Sequence, residues 1–219
     1  MKDFSNMDSI IYPAANLFAL RGYEAVSINE ICKAGNISKG RFYYYFNDKE
    51  DLFTACCKYC YRLINHVFDD FVIDENLTLY ENLLNLYNCY TKIFQEHDFV
   101  PHIVLEVNSS NAPFSRTQRH DLVKDHMNKF VNMLTDMLHK FNIDINPMFV
   151  AIGFHSAFII AYTKDGVLSH KRIMEFTGED YKDPFAYYLD KILFGIFPRD
   201  EKTLSNPKAN SIHDLSNLL

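Results

Sequence analysis

The residues whose types and spacing best suit chemistry are Ser38, Lys39, Gly40 and Arg41, followed by Tyr43, Tyr44 and Tyr45. A helix that opens on them puts short or positive side chains at its N-terminal end, the end that enters a major groove in a helix-turn-helix. Gly40 has no side chain, so the backbone there can approach base edges closely. Lys39 and Arg41 can donate to guanine acceptors or to phosphates. The tyrosines add hydroxyls for phosphates and ring faces for thymine methyls. Lys49 adds a phosphate contact, together with the free amides of the helix it opens. Phe42 and Phe46, four residues apart, face inward and hold the unit together.

These residues need a scaffold, and nearly every segment reads as helix. Ile10, Ala14 and Phe18 form one apolar stripe over 9–21, which Gly22 stops. Pro13 removes a donor inside that stripe, so an irregular first turn or a kink is expected. Ser27-Ile28-Asn29-Glu30 is a capping box for a short helix to about Ala34. Gly35-Asn36 is a turn, and Ser38 caps a second short helix through about Tyr45. Asn47-Asp48-Lys49-Glu50 caps a helix running to about Phe71. Further helices are expected at about 77–95, 101–109 and 116–141, and after Asn146-Pro147 and Asp183-Pro184. The main division falls near residue 52. The fold class is therefore all-α: a three-helix unit with a helix-turn-helix over 1–52, a larger helical domain over 53–197 and a loose tail over 198–219.

Gly22 to Ser27, then Ile31-Cys32-Lys33-Ala34-Gly35-Asn36-Ile37-Ser38-Lys39-Gly40, then Phe42 to Phe46 and Lys49-Glu50-Asp51-Leu52, resemble the DNA-binding signature of the tetracycline-repressor (TetR) family. The resemblance covers about the first quarter of the chain. It implies an all-α homodimeric repressor that binds operator DNA through its N-terminal domain. The larger domain would hold a pocket for a small-molecule effector. It implies that Lys39, Gly40, Tyr43 and Tyr44 lie on the DNA, that Arg41 reads bases or phosphates, and that Ser27, Ser38 and Lys49 hold phosphates. Asn36 stands where the family often has glycine, and Tyr45 where histidine is common.

The charge balance limits the rival readings. The chain has 219 residues and a net charge of −6, so it is not coated in nucleic acid. Positive charge is local: Lys33, Lys39, Arg41 and Lys49 face a single acid, Asp48, between positions 33 and 49. No run of 18 apolar residues marks a membrane span. The first residues carry no apolar leader, so a cytoplasmic protein with reduced thiols is expected. Cys56, Cys57 and Cys60 include a C-x-x-C spacing, readable as a redox or metal sensor or as small packing residues. Packing is the expectation. The pairs His120 with His126 and Asp136 with His139 are read as a solvated face rather than a metal site. With no nucleophile, phosphate-loop or metalloprotease motif, the expectation is a regulator that is not an enzyme and holds no metal or cofactor. A helical-bundle enzyme, or a sequestering protein with a vestigial helix-turn-helix, is the rival from another class.

The aromatic wealth beyond residue 55 is the guide to a ligand. Tyr59, Tyr87, Tyr90, Phe94, Phe130 and Phe154, with His102, Glu106 or His155 as the polar contact, would suit an apolar or aromatic effector. The helix after Pro147 is apolar on nearly every side, and the helix after Pro184 carries a second apolar face. Both are expected to meet their copies in a second subunit, with Phe158 and Ile192 marking the interface.

Overall fold

The computed structural model describes residues 4–109, 112–163, 170–178, 183–184, 187–188 and 191. The helices among them are α1 (Phe4–Arg21), α2 (Ile28–Ala34), α3 (Lys39–Tyr45), α4 (Lys49–Asp70), α5 (Leu79–Glu96), α6 (Phe99–Asn108), α7 (Arg116–Lys140), α8 (Pro147–Tyr162) and α9 (His170–Thr177). No strand occurs among the described residues, and the all-α expectation holds. No helix among them is long and apolar enough to cross a membrane. Residue 192 and the segment 198–219 lie outside the described residues.

The chain forms two compact units: Met1–Val67 with Tyr90–His126, and Phe68–Cys89 with Met127–Leu219. In the first, α1 packs along α6 and against α2, and α2 packs on α3. Ile10, Ala14, Phe18, Ile31, Phe42, Leu52, Phe53 and Ile103 form its water-free centre. Helix α1 runs through Pro13 without a break. Pro13 supplies no N–H to the Ser9 carbonyl one turn back. That carbonyl faces Gly35, where an added Cβ would come within 3.6 Å of it and 3.4 Å of the Ile31 carbonyl. Both are ordinary contact distances, so the turn before α3 lies against α1 at Gly35.

In the second unit, local side-chain bonds set the ends of the helices. Thr78 and Glu81 reciprocally cap α5, with Thr78 N–H donating to Glu81 Oε2 at 2.7 Å and Glu81 N–H to Thr78 Oγ1 at 3.2 Å. Buried Asn82 accepts from Asp74 N–H at 2.9 Å and donates to the Asp74 and Thr78 carbonyls, which fastens the turn before α5. Asn146 caps α8 by accepting from Met148 N–H at 2.9 Å, with Pro147 in the first turn. Some helices start or appear where periodicity did not put them; helix α1 begins at Phe4, ahead of the stripe over 9–21. Helix α6 begins at Phe99, two residues early, with Pro101 still in its first turn, where its missing N–H costs little. Helix α9 was not expected: eight residues are too few to show a stripe above chance.

Candidate nucleic-acid interface

Helix α2 starts as its residues require. Ser27 Oγ accepts from Glu30 N–H at 3.3 Å, and Glu30 Oε2 accepts from Ser27 N–H at 2.9 Å and from the Ser27 hydroxyl at 2.7 Å. Arg21 then donates to Glu30 Oε1 at 2.6 Å and to the Ala25 carbonyl at 2.8 Å. The Ser27 hydroxyl, the Arg21 guanidinium and the Ser27 amide, in that order, hold the Glu30 carboxyl down to about 2. Asn36 has φ 48°, the left-handed backbone expected of the turn, and Ile37 N–H closes it on the Cys32 carbonyl at 2.9 Å.

Helix α3 begins at Lys39, capped by Ser38, whose Oγ accepts from Arg41 N–H at 3.1 Å. That bond uses the oxygen as an acceptor and leaves the hydroxyl proton to be donated elsewhere. Phe42 and Phe46 are buried with ring centroids 5.9 Å apart, as their spacing requires. Lys39, Gly40 and Arg41 are exposed. Tyr43 and Tyr44 are 56% and 67% exposed, and Tyr44 meets half-buried Tyr45 edge-on at 4.9 Å. A Cβ added at Gly40 would meet only Ser38 Oγ, at 3.8 Å. The structure thus brings Ser38, Lys39, Gly40, Arg41, Tyr43 and Tyr44 onto one short helix and its cap.

Lys49 and Ser27 are placed differently from their neighbours. Lys49 Nζ donates to the Tyr23 carbonyl at 3.0 Å and sits 4.1 Å from the centre of the Tyr23 ring. The Ser27 hydroxyl is engaged by Glu30. Both side chains have partners inside the protein that an incoming phosphate must compete with.

The residues expected around a ligand divide between the two units. Tyr59, Tyr90, Phe94, His102 and Glu106 belong to the first. There Tyr90 and Phe94 are buried at 6.0 Å, and Tyr59 stacks on Phe99 at 6.3 Å beneath the Arg62 guanidinium. Tyr87, Phe130, Phe154 and His155 belong to the second. Phe130 lies 5.4 Å from Phe154 and 5.7 Å from His155, while the Tyr87 hydroxyl bonds Asp183. Burial holds the His155 pKa below its ordinary value, against the opposing Ala151 carbonyl at 2.9 Å from Nδ1. A neutral ring with Nδ1–H on that carbonyl follows.

Of His120 and His126, read together as a solvated face, only His120 is exposed. His126 is buried, with Nδ1 2.9 Å from Asn65 Oδ1 and its ring 5.2 Å from that of Tyr61. The available signal was a histidine four residues before Phe130 on the stripe of α7. Cys56, Cys57 and Cys60 are free and buried in α4, and burial pushes all three thiols well up. Protonated thiols are poor nucleophiles and poor ligands. No group of three potential metal ligands occurs among the described residues. Phe158, expected at an interface, is buried within the chain, 5.2 Å from Tyr162. The exposed stripe of α8 is instead Met148, Phe149, Ile152 and Ile159.

Residues 10–56 match the family described as bacterial regulatory proteins, tetR family. The Transposon Tn10 TetC protein of Escherichia coli is 34% identical over 93 residues, 42% of this chain and 43% of that protein. The negative transcriptional regulator IcaR of the biofilm operon icaADBC in Staphylococcus epidermidis is 28% identical over 134 residues, 61% of this chain and 68% of that one. The chain thus spans less than half the length of the first relative and about two thirds of the second. Among solved structures, FadR from Bacillus subtilis in complex with stearoyl-CoA superposes with a TM-score of 0.63 at 19% identity. That match covers 86% of this chain and 98% of that one. TetR from Rhodobacter sphaeroides gives 0.60 at 18%, over 84% and 95%. At such identities the structural likeness speaks for the fold.

Proposed function

The chain belongs to the tetR family of bacterial regulatory proteins, and from that premise we propose that it is a repressor released from operator DNA by a small-molecule effector. Residues 1–52 form the DNA-binding domain, residues 53–197 the ligand-binding and dimerisation domain. The contacts to DNA come from Ser38, Lys39, Gly40, Arg41, Tyr43 and Tyr44, with Ser27 at the cap of α2. As a homodimer the protein presents two copies of α3 to successive major grooves, about 34 Å apart or a multiple of that.

The observation that carries this reading is Gly40. A glycine inside a helix costs about 1 kcal/mol against alanine. Nothing within 4 Å but the cap oxygen would meet a Cβ there, so no packing inside the chain calls for the missing side chain. The bare backbone there admits a close approach from outside, and the exposed cations and hydroxyls around it suit a polyanion. IcaR, a relative over 61% of the chain, is a negative regulator, which supports repression. FadR, of similar fold, holds stearoyl-CoA, which supports an effector with a long apolar part.

Gly40→Val is the direct test. Valine is no worse than glycine in a helix, so the melting temperature should hold or rise slightly. Affinity for an operator selected from random DNA should fall more than about tenfold, because the branched side chain holds α3 off the base edges. A variant that unfolds, or one that binds as before, overturns the assignment. Release of the wild-type complex by acyl-CoA or flat aromatic compounds tests the effector.

A further inference from the structure

We propose that Lys49 is a positioning residue, which holds the turn before α2 and so sets the DNA-reading helices from inside the protein, rather than a ligand of the phosphate backbone. The inference rests on the reading of the chain as a DNA-binding regulator and deepens it. Lys49 is the first residue of α4, and Phe53 lies one turn further on the same face. Together they hold Tyr23. Phe53 lies 5.0 Å from the Tyr23 ring on one side, Phe18 lies 5.9 Å away, and the Lys49 ammonium lies 4.1 Å from the ring centre. The same ammonium donates to the Tyr23 carbonyl at 3.0 Å. That carbonyl also accepts from Val26 N–H at 3.4 Å, the bond that closes the turn. Ser27, the cap of α2, follows directly.

Lys49 is half-buried and its Nζ is 3.0 Å from the Tyr23 carbonyl. To hold a phosphate it would leave both a ring face and a carbonyl that already has a weaker second donor. A cation over a ring contributes more as water is excluded from it. Arg21, at the other end of the same turn, is bonded along the surface to Glu30 and the Ala25 carbonyl. The turn between α1 and α2 is thus pinned by cations at both ends. Among the described residues of this domain, Lys33, Lys39 and Arg41 are exposed, as is Arg21.

The experiment compares the full-length wild type with Lys49→Met, which keeps most of the stem, and Lys49→Arg, which keeps a cation for the ring. Operator affinity is measured against salt concentration, and amide hydrogen exchange is followed over 22–30 without DNA. A positioning role predicts that Lys49→Met weakens operator binding by roughly 5–30-fold. The salt slope stays unchanged, exchange at Val26 and Ser27 quickens, and Lys49→Arg restores both. A phosphate ligand predicts loss of about one unit of salt slope per protomer, equally on random DNA, with exchange unchanged. That result overturns the proposal. If the wild type binds no DNA, the proposed function fails, and unchanged exchange in Lys49→Met separately refutes the strut.

Discussion

Helices α3 and α8 both leave large side chains in water, and the chemistry of what they leave there differs. On α3 the exposed rings are Tyr43 and Tyr44, each ending in a hydroxyl, beside Lys39, Arg41 and a glycine. On α8 they are Phe149, 67% exposed, with Met148, Ile152 and Ile159, all hydrocarbon or thioether. A tyrosine can rest in water with its polar end solvated and then lay its face on a base or sugar. A stripe of phenylalanine and isoleucine has no such compromise, and burial against another apolar face is the outcome that removes it from water. The buried side of α8, with Val150, Ala151, Phe154, Ala157 and Phe158, shows the same composition already packed. The lesson is that exposure alone does not name a partner. The polar atoms carried by the exposed groups do.

The largest expected effect breaks the comparison at α8. Ile152→Asp puts a charge on the exposed stripe, where the folded chain tolerates it in water and the second subunit of the proposed homodimer would not. Dimer affinity should fall by about 3 kcal/mol, a factor of roughly 100–200, with the monomer's circular dichroism unchanged. Operator affinity should fall with it although α3 is untouched. Sedimentation at micromolar concentration checks this, and a wild-type monomer there would remove the dimer and the two-half-site operator together.

A smaller effect sharpens the comparison at α3. Arg41→Ala should cost about 1–3 kcal/mol on the selected operator and relax the preference at one base pair. Equal loss on specific and random DNA would make Arg41 a phosphate contact. The smallest effect concerns the support beneath α3. Glu30 titrates near 2 in the folded chain against an ordinary 4.5, so the unfolded chain binds the proton more readily. Its contribution is full above about pH 4.5 and is lost as pH falls from there through about 2. The gap in melting temperature between wild type and Glu30→Gln should therefore be constant near neutrality and narrow below pH 4.5. A gap independent of pH would show that the carboxylate does not hold the cap.

Much of α2, α3 and their turn was legible in the residues because the forces there are local. Ser27 and Glu30 are three apart, Ser38 precedes its helix by one, Asn36 tolerates the left-handed turn, and Phe42 with Phe46 share a face. The continuity of α1 through Pro13 was not legible, since a proline within a helical stripe reads locally as a break or a kink. The aromatic residues expected around one ligand illustrate the same limit. Sequence counts them, but only the fold assigns Tyr90 and Phe94 to one unit and Phe130 and Phe154 to the other.

By itself, then, the amino-acid sequence determined what short-range hydrogen bonding and helical periodicity determine: the all-α class, the caps, the turn and the row of groups that α3 offers to solvent. Tertiary structure decided which face of an all-apolar helix stays in water, so that Phe158 is inside and Ile152 outside. It also decided where a flexible cation ends its stem. A lysine side chain has four rotatable bonds and no preferred direction of its own. Lys49 reaches Tyr23, 26 positions earlier, because packing of Phe18 and Phe53 holds that ring beneath the first turn of α4.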